Sequence, residues 1–344
     1  MTQMIATTQA QECITLAHGG GGQMTSALIE HHVLPRLGNR LLNPLGDSAI
    51  LETAPGRKVF TTDSYVVQPL EFPGGDIGRL AVCGTVNDLA VMGATVDALS
   101  LALVLEEGLP LNLLDRILDS IARAAQEAGV VIATGDTKVI ERHRGDGLMI
   151  TTAGVGTLRP DADLGMNRIE PGDAILVNGR IAEHGLAVMS VREGLAFETE
   201  LASDAAPLNG LISSILDTGA GVRFLRDATR GGVAGVLADI AEETGLSLEI
   251  EEDALPMSVV ARHTAECFGL DPLAVANEGK CLAVVASDSA DAVMRASRAH
   301  PHGRHAAVIG RVVDATPPVV ELLTRAGGRR VVQRPFGEEL PRIC

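Results

Sequence analysis

The stretch GGDIGRLAVCGTVNDLAVMGATVDALSLALVL, residues 74–105, decides the fold. Its first half reads as a helix over residues 76–92. Gly74-Gly75 interrupts the chain before it, and Asp76 stands where a side chain caps the free amides of a first turn. Its second half holds residues 98–105, an apolar run of strand length. A helix and a strand in direct succession, both rich in apolar residues, form one unit of a layered α/β domain.

The same alternation continues outward. Residues 58–62 read as a strand, residues 111–128 as an amphipathic helix ending at Gly129, and residues 130–134 and 149–155 as strands. Residues 159–172 turn polar, with Pro160, Gly165, Pro171 and Gly172, and mark a domain boundary. Beyond it, strands are expected at 174–178, 246–250, 281–286 and 306–312, and helices at 183–192, 207–216, 231–244 and 288–299. The expected class is α/β (α+β). It comprises an N-terminal segment 1–40 with a glycine run, a domain 41–160, a second domain 170–321 and a mobile tail 322–344.

Composition narrows the function. Of 344 residues, 46% are apolar but only 2% aromatic, so the core is built from Ala, Val, Leu and Ile. The net charge of -16 argues against a nucleic-acid binder, which needs a basic patch and stacking aromatics, and against an anionic membrane surface. It suits bound cations, which in turn hold an anionic ligand. No apolar run reaches membrane-spanning length, and MTQMIATTQAQECIT has neither the basic nor the apolar region of a signal peptide, so the cytoplasm is expected. The 5 cysteines form no CxxC pair, which disfavours a disulfide framework or a structural zinc site. Cys344 is the last residue given. It reads as an inert terminal thiol or as a movable handle carried into an active site. The segment from residue 322 onward holds five arginines against two glutamates, a basic tail on an acidic body.

Chemistry-bearing motifs are spread along both halves. The run His18-Gly19-Gly20-Gly21-Gly22 is either a flexible loop or a nest of amides for an anion. Asp47, Asp63, Asp88, Asp136 and Asp227 all sit at strand ends or beside Gly, Thr or Asn. Each alone reads as a turn or cap residue; together they suit carboxylates converging on Mg²⁺ beside a nucleotide. Asp88 interrupts an otherwise apolar helix. Asp227-Ala-Thr229-Arg230-Gly-Gly leads into a helix, and a helix N-terminus with glycines and an arginine is an anion site. Only three of the 28 basic residues are lysine, and two of these, Lys138 and Lys280, lie in the Gly-bearing motifs Gly135-Asp136-Thr137-Lys138 and Asn277-Glu278-Gly279-Lys280.

These motifs, together with Val86-Asn87-Asp88-Leu-Ala-Val-Met-Gly and the ending Pro341-Arg-Ile-Cys344, occur in an order that resembles the HypE family of hydrogenase maturation factors. That family lies within the ATP-binding superfamily of aminoimidazole ribonucleotide synthetase and selenophosphate synthetase. The resemblance runs from Ile14 to Cys344. It implies a two-domain fold that dimerises through the N-terminal domains, with ATP near the dimer interface. It also implies ATP-dependent dehydration of a carbamoylated Cys344 to a thiocyanate, which supplies the cyanide ligand of a [NiFe]-hydrogenase. HypF is then the carbamoyl donor and a HypC–HypD complex the cyano acceptor. On this resemblance Asp47, Asp63, Asp88, Asp136 and Asp227 are metal ligands. Gly19 to Gly22, Asp63, Asn87, Asp136, Thr137, Asp227, Thr229 and Arg230 contact ATP. Glu278 is the base and Lys138 orients the substrate or stabilises charge, roles that are interchangeable at this point. Selenophosphate synthetase itself is disfavoured, because residues 17–24 contain neither Cys nor Lys.

Overall fold

A computed structural model describes residues 12–19, 23–43, 45, 51, 53–194, 201–335 and 342–344. Gly20, Gly21, Gly22 and Asp47 lie outside these.

The described N-terminal segment carries α1 (Gln23–Leu28) and α2 (Leu34–Leu37), joined by a π-helical turn, Ile29–Val33, so residues 23–37 are helical throughout. Then come β1 (Lys58–Tyr65), the short β2 (Glu71–Phe72) and β3 (Gly75–Asp76), α3 (Ile77–Val91), β4 (Ala94–Glu106), α4 (Leu111–Ala128), β5 (Ile132–Ile140) and β6 (Leu148–Leu158). Asp76 caps α3 as its position dictates, accepting the amides of Gly78 at 2.8 Å and Arg79 at 3.0 Å. Gly129 ends α4 with φ 70°, the left-handed turn that favours glycine. The four long strands form one sheet in the order β1-β6-β4-β5. Residues of α3 and α4, such as Leu80, Leu89, Leu114 and Ile117, are fully buried with Leu99, Leu105 and Ile150 of the sheet. This N-terminal domain therefore places β1 and β5 at opposite sheet edges.

The second half adds β7 (Ala174–Val177), α5 (Glu183–Arg192), α6 (Asn209–Leu216), β8 (Val222–Asp227), α7 (Gly232–Thr244), β9 (Ser247–Glu251) and α8 (Val259–Phe268). It ends with β10 (Cys281–Val285), α9 (Ala290–Ala299), β11 (Ala307–Val313), β12 (Val320–Leu323) and β13 (Arg329–Val331). Its seven strands run β13-β12-β9-β11-β7-β10-β8. Every residue of β7 and β10 is buried, as expected for central strands covered on both faces.

One boundary needs correction. Residues from 322 onward do not all form a mobile tail. β12 pairs with β9, and β13 with β12, so the second domain continues to Val331. The half-exposed arginines of this segment pair with surface carboxylates. Arg325 pairs with Asp253, Arg329 with Glu249 and Glu321, Arg330 with Asp271, and Arg334 with Asp239 and Glu242. Beyond Pro335 the described residues are 342–344, and these lie against the body of the protein. Among the described residues, no helix is long and apolar enough to cross a membrane.

Candidate active site

A cleft of about 850 Å³ lies between the domains. β1 supplies Asp63 and Tyr65, α3 supplies Asp88, and the end of β8 supplies Asp227. The turn before α7 supplies Thr229 and Arg230, and the loop before β10 supplies Glu278. Cys344 also lines it. Seven of the residues singled out in the sequence thus share one cavity: Asp63, Asp88, Asp227, Thr229, Arg230, Glu278 and Cys344.

The three aspartates form an acidic wall. Thr61 donates to Asp88 at 2.8 Å, and the Tyr65 hydroxyl donates to Asp63 at 3.0 Å. Burial, then the nearby charges of Asp88 and Asp63, push the Asp227 carboxyl up to about 7. Burial likewise raises Asp88, against the hydrogen bond from Thr61. Among the described residues no three carboxylates are drawn close enough to form a ready metal site; the aspartates of this wall sense one another's charge, and carboxylate oxygens are the kind of donor that Mg²⁺ takes. Opposite them, α7 begins on Gly231 and Gly232, both with positive φ, 78° and 59°. A Cβ on Gly232 would lie 2.5 Å from the Leu273 carbonyl oxygen, so only glycine lets the helix start here.

Glu278 sits at the inner end of the cleft, 3% exposed. Its Oε1 is a buried atom with no hydrogen-bond partner among the described residues. Burial pushes its carboxyl well above the ordinary range, reinforced by Asp204 and Asp227. The Cys344 thiol lines the same cavity as this carboxyl, and burial followed by the Glu278 charge pushes the thiol up as well. The loop carrying Glu278 is locked from behind. Asn277 accepts the Ala182 amide at 2.8 Å and donates to the Ala228 carbonyl at 2.8 Å. Asp204 accepts the Glu278 amide at 3.1 Å and pairs with Lys280 at 2.7 Å. Lys280 is therefore a support of the loop.

The tail reaches the cleft through a clasp of backbone contacts. Gln68 donates its amide to the Arg342 carbonyl at 3.3 Å, and the Arg192 guanidinium donates to the same oxygen. His184 donates to the Ile343 carbonyl at 2.8 Å. The Ile343 side chain is buried in an apolar cluster to which both domains contribute, and Arg342 pairs with Asp146 at 3.0 Å.

Other expected residues lie elsewhere. Asn87 does not line the cleft. Its amide donates to Ala206 and Glu278 carbonyls at 3.1 and 3.3 Å and accepts the Leu208 amide at 2.7 Å, so the expected nucleotide contact is replaced by a tie between domains. Asp136, Thr137 and Lys138 lie on β5. Three strand spacings, ~14 Å, separate that edge of the sheet from β1. Asp136 and Thr137 line a different cavity, of about 330 Å³, beneath the N-terminal helices. Gly19 meets the same edge, where a Cβ would approach Val139 at 2.7 Å. Lys138 is exposed there. One chain alone does not bring these four to Cys344. Sequence reasoning missed Tyr65, His184, Arg192, Ser203 and Asp204, none of which stands in a motif.

Comparison with known proteins agrees with this architecture. The AIR synthase related protein N-terminal domain matches residues 45–158, and the corresponding C-terminal domain matches residues 170–322. Carbamoyl dehydratase HypE of Azotobacter vinelandii is 46% identical over 331 residues, covering 96% of this chain and 97% of its own. The chain belongs to the HypE family. Among solved structures, that of hydrogenase maturation protein HypE in complex with ATP matches with a TM-score of 0.92 and 40% identity, covering 96% of this chain and 99% of that one. HypE in a HypE–HypF complex matches with a TM-score of 0.78 and 44% identity, covering 90% of this chain and all, 100%, of that one. The two HypE-family domains together span residues 45–158 and 170–322, the two halves that flank the cleft.

Proposed function

We propose that this chain is a carbamoyl dehydratase that uses ATP to convert an S-carboxamide on Cys344 into a thiocyanate, for hydrogenase maturation. The observation that carries the reading is that Cys344 and the buried Glu278 line one acidic cleft with Asp63, Asp88 and Asp227. Relatives named carbamoyl dehydratase and a HypE structure with ATP bound support it.

The carboxamide oxygen attacks the γ-phosphorus of ATP, and ADP leaves. The nitrogen loses one proton in this step, giving an S-linked imidate phosphate. Loss of the second N–H proton then expels phosphate and leaves the S–C≡N group. Both steps need a proton acceptor at the nitrogen, and Glu278 is placed for it: buried, with a raised proton affinity and an oxygen free of partners. Arg230, rather than the helix start, binds phosphate, because the Gly232, Ala234 and Gly235 amides at the start of α7 are already taken by carbonyls. Asp63, Asp88 and Asp227 are not gathered into a metal site in the chain alone; their oxygens would hold Mg²⁺ together with the nucleotide's own phosphates, which that ion would screen. Asp47 and the glycines 20–22, outside the described residues, are assigned to the same nucleotide.

Gly19, Asp136, Thr137 and Lys138 act on this reading from a second copy of the chain. The sheet leaves one edge at β1, with Phe60 69% exposed, and the β5 edge of a partner can be set against it in a homodimer. Lys138 then orients the carboxamide. HypF loads the cysteine, as the HypE–HypF complex of a relative supports, a HypC–HypD complex receives the cyano group, and the protein works in the cytoplasm.

Mass spectrometry of the carbamoylated C-terminal peptide tests the reading. Adding Mg-ATP should remove one water. An unchanged mass, with ATP bound, would overturn it.

A further inference from the structure

His184 is fully buried at the first turn of α5, and no step of the reaction uses it. Its ring makes two hydrogen bonds. Nε2 lies 2.8 Å from the Ile343 carbonyl oxygen, and Nδ1 lies 2.8 Å from Ser203 Oγ. A carbonyl only accepts, so the ring proton is on Nε2 and Nδ1 accepts from the serine hydroxyl. Ser203 Oγ in turn accepts the Ala205 amide at 3.1 Å, which aims its own proton at the ring. Phe72 meets the imidazole edge-on at 5.5 Å. Tautomer and ring plane are thus both fixed by neighbours.

The next residue along is Asp204, which accepts the Glu278 amide. Adjacent positions 203 and 204 therefore hold the two sides of the chemistry. Ser203 holds the tail through His184; Asp204 holds the base through its backbone. A Cβ on Gly74 would lie 2.7 Å from the Ser203 backbone, and one on Gly279 would lie 2.0 Å from the Asp204 carbonyl oxygen. The segment is bedded between two glycines that admit no side chain.

We propose that His184 is a positioning residue for the dehydration, holding the peptide before Cys344 so that its sulfur substituent meets Glu278. The proposal rests on Cys344 being the substrate site. The contact is to backbone, one residue before the modified sulfur. It is therefore the same for the thiol, the carboxamide and the thiocyanate, and it sets how long each form stays inserted. Without the Nε2 donor the Ile343 carbonyl is left buried and unpaired, which favours withdrawal of the tail.

The test uses the full chain and four proteins: wild type, His184→Phe, His184→Gln and Ser203→Ala. Iodoacetamide labelling of Cys344 reads tail insertion without any reaction, and the exposed Cys267 serves as the internal control. His184→Phe should label Cys344 about tenfold faster and dehydrate the carbamoylated chain about tenfold more slowly, the scale of one buried hydrogen bond. ATP affinity should stay within about twofold, since no nucleotide contact is removed. His184→Gln, which restores an N–H donor, should recover both rates to within about threefold of wild type. Labelling unchanged in a folded His184→Phe protein overturns the proposal, as does slowed dehydration with unchanged labelling. If His184→Phe does not fold, Ser203→Ala decides: faster labelling supports the clasp, and unchanged labelling overturns it. If wild-type carbamoylated chain fails to lose water, the substrate reading falls, while labelling still judges the clasp.

Discussion

Asp204 and Lys280 form a 2.7 Å ion pair whose side chains are only 3% and 9% exposed. Burial opposes ionisation of Asp204, and Lys280 overrides it, holding the carboxyl below its ordinary range. The pair stands directly behind Glu278, so its loss reaches the reaction through the loop that carries the base.

Lys280→Met should leave a buried, uncompensated carboxylate and lower stability by about 3–5 kcal/mol, read by urea unfolding. Adding Asp204→Asn should recover most of that loss, because the asparagine oxygen still accepts the Glu278 amide. A single-variant loss below about 1 kcal/mol would mean the pair is effectively solvated.

Glu278→Gln should keep the shape of the cleft and remove the proton acceptor. Water loss from carbamoylated Cys344 should slow by at least about a hundredfold. Loading of the cysteine by HypF should continue, because it does not need the base. Mass spectrometry of the terminal peptide separates the two events.

Asp227→Asn should act with opposite sign on the empty and the loaded protein. Without nucleotide it relieves repulsion among three buried or half-buried carboxylates, so the melting temperature should rise. With saturating Mg-ATP the ligand-induced stabilisation should shrink by more than half, since one cation ligand is lost. An undiminished Mg-ATP shift would remove Asp227 from the nucleotide site.

His184 gives a pH dependence with a definite direction. Burial holds the imidazole below its usual range, aided by Arg192 and opposed by Asp204 and the Ile343 carbonyl. The unfolded ring takes up a proton near pH 6.5, as a free histidine does, while the native ring resists. The stabilisation is thus present above about 6.5 and is lost as pH falls toward the lower native value. Urea midpoints between pH 7.5 and 5 should fall more steeply for wild type than for His184→Phe. Equal slopes would show that the ring titrates freely.

Local signals were legible and relayed ones were not. The periodicity of residues 111–128 and the Asp76 cap need only neighbouring positions, and both elements formed as read. Asp88 and Asn87 show where local reading stops. Successive helix residues point about 100° apart, so Asp88 faces the cleft while its neighbour faces the other domain. The hairpin of β12 and β13 was hidden by its arginines, whose partners on β9 and nearby loops lie far away in sequence. His184 and Ile343 are separated by 159 positions, and no spacing or composition links them. Lys138 was chosen by motif, yet its neighbours within one chain are those of the β5 edge.

The clasp on residues 342 and 343 also fixes the kinetic order of the pathway. The group to be dehydrated is delivered by the same molecule that dehydrates it, at an effective concentration set by the chain rather than by the solution. Loading and unloading of the cysteine are encounters between proteins and scale with their concentrations. The dehydration between them is a first-order event at saturating ATP, with a half-life that dilution leaves unchanged as long as the homodimer stays assembled.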